Sequence, residues 1–227
     1  MFKPILIIIT LCVTAPTSAQ TGHGATWSGL PAAKPGSGTA ASINDMVELT
    51  PGLMLAFTGP DAFIYDLYEL QATASIPLVD SIPGWPSAWA DGISACTEWD
   101  SVSCILFHDS SVVWMSLDPL GVPGKPELFG GLPANWKGKV DAAVRWDENS
   151  IYLINGAEFL IWDISEDSVG EAIPLSSMVG WPKTWSTVDA VVNLGGLIHF
   201  IRGSEILVFD QAAGGFLKGH PLKFASK

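Results

Sequence analysis

One position in each of four similar stretches of the chain carries a side chain that could bind or polarise a ligand. The four residues are Glu48, Glu98, Arg145 and Asn193. A position needed only for packing would keep one residue type, whereas this one changes from carboxylate to guanidinium to amide. Such variation is typical of the rim of a binding site, where the scaffold is kept and the surface is free to change. The alternative is an exposed strand end with unrelated polar residues.

In two of the stretches the next residue is aromatic, Trp99 and Trp146. Aromatic side chains in excess of those that a repeat needs predict an apolar wall for a ligand, with core filling as the alternative. The sequence contains no motif of a serine hydrolase, a zinc protease or a phosphate-binding loop. If the protein is an enzyme, the catalytic candidates are therefore Glu48, Glu98 and Arg145, which would orient and polarise a substrate.

These positions recur because the chain repeats itself. One copy begins at Gly131 and reads GLPANWKGKVDAAVRWDENSIYLINGAEFLIWD, and from Gly180 the chain reads GWPKTWSTVDAVVNLGGLIHFIRGSEILVFD. Another copy begins at Gly84 and a degraded one at Gly29, so the starts are about 50 residues apart. That period is typical of propeller blades and not of immunoglobulin-type strands.

Within each copy, short apolar runs alternate with turn residues, as in IYLI, NGAE and FLIWD. Such runs, separated by Gly, Asn and Asp, predict strands joined by hairpins. A further apolar stretch before the next copy predicts an outer strand. The predicted fold class is therefore all-β, a four-bladed β-propeller with a four-stranded antiparallel sheet in each blade, because stacked blades bury faces that a single sheet cannot. The expected repeats are 29–83, 84–130, 131–179 and 180–227.

The order of residues resembles the hemopexin-like repeat. It reads Gly-x-Pro-x-x-Trp, then hydrophobic-Asp-Ala-Ala, then a hairpin, then Gly-x-Glu and a closing Asp, from about Gly29 to Phe224. The resemblance implies that the four repeats form one propeller. The chain departs from the pattern where Ser94 replaces the Asp, where Asn44 and Asp45 stand in the first copy, and in lacking the Cys pair that often ties blade one to blade four.

The Asp of that pattern and its equivalents begin the innermost strand of each blade, where four strands converge on the propeller axis. Their main-chain carbonyls would surround the channel, and carbonyl oxygens suit hard cations. The resemblance implies an ion there, so Ca²⁺ or Na⁺ is the expected cofactor. Small polar side chains that satisfy local turns are the alternative. The residues concerned are Asn44, Ser94, Asp141 and Asp189.

Haem is suggested by the family name, and it needs an axial His, Cys, Met or Tyr aimed at the iron. The histidines belong to no Cys-x-x-Cys-His motif and have no paired spacing. They are His23, His108, His199 and His220. The sequence therefore offers haem no evident axial ligand.

The amino terminus predicts export. Residues 1–19 combine a basic start, an apolar run and a small-residue cleavage site, as secretory signal peptides do. Residues 20–28 are expected to be flexible, residues 29–227 form the propeller, and no later segment is apolar enough to span a membrane. In an oxidising compartment, Cys96 and Cys104 are expected to form a disulfide across the base of a hairpin, with two buried free thiols as the alternative.

Charge limits the partners. The formal net charge of −12 repels nucleic acid and anionic lipid. The sequence favours a secreted, extracellular binding protein that captures a small apolar or cationic ligand, or a protein partner, at the mouth of the channel. The alternative is a cofactor-independent enzyme of the cyclase or isomerase type that uses the same pocket. An adhesion module and a homodimer are further options.

Overall fold

The computed structural model describes residues 43–66, 71–72, 75–122, 124–136, 138–203 and 205–223. The predicted leader, the segment 20–28 and the start of the first repeat lie outside the described residues. His23 lies outside them as well.

Four antiparallel sheets of five strands each are present in the described residues. The first sheet contains β1 (Asp45–Thr50), β2 (Leu53–Thr58), β3 (Asp61–Asp66), β4 (Gln71–Ala72) and β5 (Ile76–Pro77). The second contains β6 (Ala95–Asp100), β7 (Ser103–His108), β8 (Ser111–Leu117), β9 (Leu120–Gly121) and β10 (Glu127–Leu128). The third contains β11 (Ala142–Arg145), β12 (Ser150–Asn155), β13 (Glu158–Asp163), β14 (Ser168–Val169) and β15 (Ile173–Pro174). The fourth contains β16 (Ala190–Leu194), β17 (Leu197–Arg202), β18 (Glu205–Asp210), β19 (Gly215–Phe216) and β20 (Leu222–Lys223).

Each sheet is one propeller blade whose outer strand is split in two. Three long strands pair in chain order, and two short strands then pair with opposite ends of the third. In the third blade, Val169 of β14 pairs with Trp162, and Pro174 of β15 pairs with Glu158 at the other end of β13. Residues 170–172 separate the two short strands, so the outer edge of this blade is not one continuous strand. The predicted all-β four-bladed propeller is confirmed, with a divided outer strand in place of one continuous strand.

The segments between blades are short helical turns. They are an α-helix, α1, at Leu78–Ser81 and 3₁₀ helices at Ser87–Trp89, Ala134–Trp136 and Leu175–Ser177. In the part of the chain that the structure describes, no helix is long and apolar enough to cross a membrane.

The recurring Trp residues pack between blades. Trp136 and Trp185 are buried, and their indole N–H groups donate to the carboxylates of Glu158 and Glu205 at 3.1 and 3.0 Å. Buried indole rings need such a partner for the N–H group. The repeated Trp and the repeated Glu are therefore scaffold residues.

Apolar contacts between neighbouring blades form the core. A separate cluster of buried side chains lies at each of the four interfaces. The innermost strands β1, β6, β11 and β16 contact one another around the axis, and β1 contacts β16. Met46, Met54 and Tyr65 of the first blade pack against Val192 and Ile206 of the fourth. Apolar burial thus closes the ring between the first and last blades.

The carboxylate of Asp45 lies at the centre of this ring. It is completely buried, and its Oδ1 atom accepts hydrogen bonds from the backbone N–H groups of Met46 and Val191 at 3.0 and 3.2 Å. Its Oδ2 atom accepts from those of Cys96 and Ala143 at 2.9 and 3.2 Å. The four donors occupy equivalent positions in the four innermost strands. One side chain therefore connects every blade.

The environment of Asp45 affects its ionisation in two opposing ways. Burial raises the pKa of the Asp45 carboxyl well above its usual value, and the four backbone hydrogen bonds oppose that rise. Each oxygen receives two N–H donors and has no lone pair left for a further bond. This arrangement matches the acceptor capacity of a carboxylate.

We expect Asp45→Ala and Asp45→Asn each to lower the free energy of unfolding by about 3 kcal/mol or more. Alanine leaves four buried N–H groups without an acceptor, and the asparagine NH₂ group would face N–H donors. Denaturant unfolding followed by Trp fluorescence measures the change. Asp80→Asn, on the exposed side of α1, is the control. Wild-type stability of Asp45→Asn would contradict the role assigned to the charge.

The predicted disulfide is wrong: Cys96 and Cys104 are free and buried. Cys96 pairs with Leu106 and Cys104 with Glu98, so the two cysteines are diagonal neighbours on β6 and β7. Diagonal Cα atoms are roughly 7–8 Å apart, beyond the usual range for a disulfide. Burial also raises the pKa of both thiols, which disfavours the reactive thiolate. The alternative of two buried free thiols is the correct one.

Both thiols should therefore be alkylated in denaturant without any reductant. Mass spectrometry of peptides from the unfolded protein should find Cys96 and Cys104 each modified, and adding dithiothreitol before unfolding should not change the thermal midpoint. Cys104→Ala should remove one modified site. Modification that requires prior reduction would support the disulfide after all.

Candidate functional site

Two cavities lie at opposite ends of the channel between the innermost strands. The strand-start mouth has a volume of about 490 Å³ and is lined by residues that include Asn44, Ser94, Asp141 and Asp189. The strand-end mouth has a volume of about 600 Å³ and is lined by Glu98, Arg145, Trp146, Asp147, Glu148, Asn193 and Gln211. The two sets of candidate residues predicted from the sequence thus lie at different ends.

At the strand-start mouth, the repeated Asn or Asp side chain bonds the hairpin turn of its own blade. Asp141 Oδ2 accepts a hydrogen bond from the N–H of Gly156 at 2.9 Å, and Asp189 Oδ2 accepts one from Gly203 at 2.6 Å. Asn44 Oδ1 accepts from its equivalent, Gly59, at 3.2 Å. These side chains therefore satisfy backbone N–H groups of local turns, which was the alternative to an ion-binding role.

The second blade departs from this pattern in two places at once. Its hairpin turn has no Gly, and Asp109 adopts a positive φ of 50° there. Ser94 stands in place of the Asp and donates its hydroxyl hydrogen to the carbonyl oxygen of Phe107 at 3.2 Å. The substitution of Ser for Asp therefore accompanies a changed turn.

A metal ion at the strand-start mouth would depend on main-chain carbonyls. Among the described residues, no group of three or more His, Cys, Asp or Glu side chains is placed to hold a metal ion. The Oδ2 atoms of Asp141 and Asp189 accept hydrogen bonds from the turns, and Asp141 Oδ1 lies 2.8 Å from Lys139 Nζ. Calcium or sodium at this mouth stays a prediction.

The described histidines belong to two blades, His108 to the second and both His199 and His220 to the fourth. His108 is at the strand-start mouth, where its Nε2 atom lies 2.9 Å from Asp91 Oδ1 and its ring stacks on Trp89. His199 is buried in the fourth blade, and burial lowers its pKa to about 4. The Nδ1 atom of His220 lies 3.4 Å from the carbonyl oxygen of Ile206. The structure does not bring these three rings into one site.

At the strand-end mouth, Arg145 is held by backbone carbonyls. Its Nη1 group donates to the carbonyl oxygen of Trp99, and its Nη2 group donates to that of Glu148 at 2.7 Å. The guanidinium carbon lies 5.8 Å from the centre of the Trp99 ring. The backbone N–H of Arg145 donates to Thr97 Oγ1 at 2.6 Å. This arginine therefore fixes the rim where the second and third blades meet.

Glu98 differs from Arg145, whose guanidinium is hydrogen-bonded, because one of its carboxylate oxygens lacks a hydrogen-bond partner. Its Oε1 atom is buried and has no hydrogen-bond donor among the described residues. Burial raises the pKa of Glu98 to about 7, and the charge of Glu48 adds to the rise. A backbone hydrogen bond from Glu48 and the charge of Arg145 act in the other direction. An unpartnered carboxylate oxygen in a largely buried position is a site of unsatisfied negative charge.

Glu48 is better satisfied than its equivalent in the second blade. Its Oε1 atom accepts a hydrogen bond from the N–H of Gly52 at 3.0 Å. Burial raises its pKa, and this hydrogen bond opposes the rise. Glu48 does not line the strand-end cavity, so it acts on that mouth through its charge.

The remaining predicted residues divide between the wall and the core. Trp146 lines the mouth, with its ring stacked on Tyr152 at 4.3 Å between centroids. Trp99 packs against Trp162 at 5.6 Å and is not part of the lining. Asn193 lines the mouth, where its amide donates to the Arg145 carbonyl oxygen at 3.0 Å. Trp99 is half-buried and packs against the apolar cluster between the second and third blades.

Three lining residues were missed by the sequence reasoning. Asp147 and Glu148 follow the innermost strand of the third blade, and Gln211 follows the last long strand of the fourth. The Gln211 side chain donates to the carbonyl oxygen of Trp146. Residues 147–149, Asp-Glu-Asn, follow Trp146 directly in the sequence. This turn could have indicated that two acids lie beside the predicted rim position.

The fold defines the class: a single four-bladed β-propeller. No family model matches the chain. It is 26% identical over 133 residues to stromelysin-1 of Rattus norvegicus, which is 57% of this chain and 28% of that protein. The chain therefore spans well under a third of the length of this relative.

Several solved structures with the same fold are plant proteins. The hemopexin fold protein CP4 from cow pea has a TM-score of 0.63 and 13% identity, over 74% of this chain and 86% of that one. A Cicer arietinum albumin described as showing hemagglutination has a TM-score of 0.64 and 12% identity, over 78% and 91%. The seed albumin LS24 from Lathyrus sativus has a TM-score of 0.58 and 16% identity, over 77% and 86%. At these identities the likeness establishes the fold, and the predicted hemopexin-like propeller is confirmed.

The raised pKa of Glu98 has a consequence for stability. Between about pH 4.5 and about pH 7 the folded protein retains a proton that the unfolded chain has released, so the free energy of unfolding should fall as pH rises through this range. The expected loss is about 2 kcal/mol. Urea unfolding of wild type and Glu98→Gln at a series of pH values measures it.

Glu98→Gln should show a smaller decline than wild type, because glutamine does not titrate, whereas Asp45 and Glu48, whose pKa values burial also raises, contribute in both proteins. Glu127→Gln on the exposed outer strand should follow the wild-type curve, since it removes one charge far from the channel. Parallel curves for wild type and Glu98→Gln would show that the pKa of Glu98 is not raised.

Proposed function

We propose that this protein is a secreted binding protein that captures a small cationic molecule at the strand-end mouth of its channel. The observation that carries the proposal is the unpartnered, buried carboxylate oxygen of Glu98 in the wall of that mouth. A buried carboxylate oxygen without a hydrogen-bond donor costs free energy, and a bound cation that donates to it would recover part of that cost.

The charges around the mouth support a cation. Glu98, Asp147 and Glu148 are acids of the lining, and the one basic lining residue is Arg145. Two of the five N–H groups of its guanidinium donate to carbonyl oxygens, which holds this single positive charge against the rim. The net charge of −12 would attract cations to the surface from a distance.

The size and the aromatic content of the mouth favour a polar ligand over an apolar one. The volume of about 600 Å³ falls within the range of small-molecule sites. Trp146 is the one aromatic side chain of the described lining, and one face of its ring is covered by Tyr152. A mainly apolar ligand would find little matching surface here.

Export belongs to the same proposal. It rests on the predicted leader at residues 1–19 and on the acidic surface. A calcium or sodium ion at the carbonyls of the strand-start mouth, if bound, would have a structural role, because it would lie at the opposite end of the channel.

The second candidate function is a cofactor-independent enzyme that uses the same mouth. It is favoured by the pKa of about 7 for Glu98, which suits a general acid or base near neutral pH. Glu48 would tune this acid through its charge, and Arg145 would hold the rim. The two functions differ in whether the ligand is recovered unchanged.

Calorimetric titration with three ligands of matched size tests the proposal: cyclohexylammonium, cyclohexanol and cyclohexanecarboxylate. We expect only the cation to bind, and Glu98→Gln to weaken its binding at least about tenfold, since the buried carboxylate supplies the attraction. Glu127→Gln should bind like wild type.

Binding of the carboxylate or the alcohol as tightly as the cation would contradict the proposal. An equal loss of affinity for the cation in Glu98→Gln and Glu127→Gln would also contradict it, because general attraction by the net charge would then explain the binding. Recovery of a chemically altered ligand, detected by proton NMR, would favour the enzyme.

A further inference from the structure

A small void lies directly beneath the strand-end mouth. Its volume is about 10 Å³, and it shares Glu98, Arg145 and Asn193 with the lining of the mouth. The rest of its wall is formed by Met46, Val47, Thr97, Val144, Val191 and Val192. A void of this size holds one group about as large as a water molecule.

The polar groups of this wall are already bonded, with one exception. Thr97 Oγ1 accepts the N–H of Arg145, and the Asn193 side chain donates to one backbone group and accepts from another. Glu98 Oε1 remains without a donor among the described residues. The void therefore offers a single strong acceptor in a largely aliphatic surrounding.

We propose that the cation bound at the strand-end mouth is a primary ammonium ion, whose –NH₃⁺ group enters the void and donates a hydrogen bond to Glu98 Oε1. The inference rests on the proposed function and specifies its ligand. An –NH₃⁺ group is close to water in size and carries three donors. A trimethylammonium group has no donor and is much larger than the void.

The aromatic residues nearby do not favour the quaternary ion either. Quaternary ammonium groups are recognised by open aromatic faces. The Trp146 ring is stacked on Tyr152 with an interplanar angle of 11° and contacts Phe209 at 5.1 Å between centroids. The Trp99 ring has the guanidinium of Arg145 over it. The mouth thus lacks the aromatic cage that a quaternary ion would need.

The charged and titratable groups around Glu98 make binding depend on pH. Glu48 faces it from β1, Arg145 from β11, and Cys104 is its partner in register on β7. The pKa of about 7 means that Glu98 is largely protonated in mild acid, when it cannot accept from an ammonium ion at full strength. Binding of the primary ammonium ion should therefore release a proton and strengthen as pH rises.

The experiment compares n-butylammonium with n-butyltrimethylammonium, which have the same chain and the same charge. Calorimetric titrations of the full protein at about pH 8 and about pH 5.5 give both affinities. At about pH 8 we expect the primary ion to bind at least about tenfold more tightly than the quaternary ion. At about pH 5.5 the affinity for the primary ion should be about tenfold or more lower than at about pH 8, because Glu98 is protonated. The quaternary ion should bind weakly at both.

Two variants separate the void from the carboxylate. Glu98→Gln should abolish the preference for the primary ion and its dependence on pH. Val192→Ile adds one methylene group to the wall of the void without touching Glu98, and it should weaken the primary ion but leave the quaternary ion unchanged. Circular dichroism and the thermal midpoint verify that each variant is folded.

Each outcome decides a different claim. Equal affinity for the two ions would overturn this inference and leave the cation-binding function standing. Binding of neither ion would refute the proposed function itself. Preference for the primary ion that is unaffected by Val192→Ile would place the ammonium group outside the void and overturn the geometry proposed here.

Discussion

The Asp45 carboxylate is the interaction on which the ring of blades depends. Four innermost strands that converge on one axis all direct a backbone N–H group toward the same point, and such groups need an acceptor when they are buried. Asp45 supplies both oxygens, and each bonds two strands. Only the first repeat has an acid at this position. The fourfold arrangement of the innermost strands therefore depends on one residue that the other three repeats do not share.

Much of the fold could be predicted from the repeat, because strand, hairpin and Trp positions recur at a fixed period. The divided outer strand could not, since each of its two parts is only two residues long and too short to show a periodic sequence signal. The state of Cys96 and Cys104 was also missed. Spacing along a hairpin does not reveal register, and a shift of two residues in pairing decides whether two thiols can meet.

The candidate site could be predicted in position but not in role. Of the four varying residues, the structure brings Glu98, Arg145 and Asn193 together at one mouth and leaves Glu48 out of its lining. The sequence could not tell that Arg145 would be bonded by carbonyl groups of its own and the neighbouring blade, because those contacts depend on backbone geometry between blades. Nor could it tell that Trp146 lines the mouth while Trp99 does not, since both follow the same strand position.

Asp45 and Glu98 are two acids of the same channel with different surroundings. Burial raises the pKa of both. Asp45 accepts hydrogen bonds from four N–H donors, which use its full acceptor capacity. Its carboxylate therefore connects the strands and offers nothing to a ligand. Glu98 lies one strand position beyond Thr97, above a void, and its Oε1 atom has no donor in the described structure. A carboxylate that the protein itself satisfies is structural, and one that it leaves unsatisfied is available to a ligand that brings its own donors and positive charge.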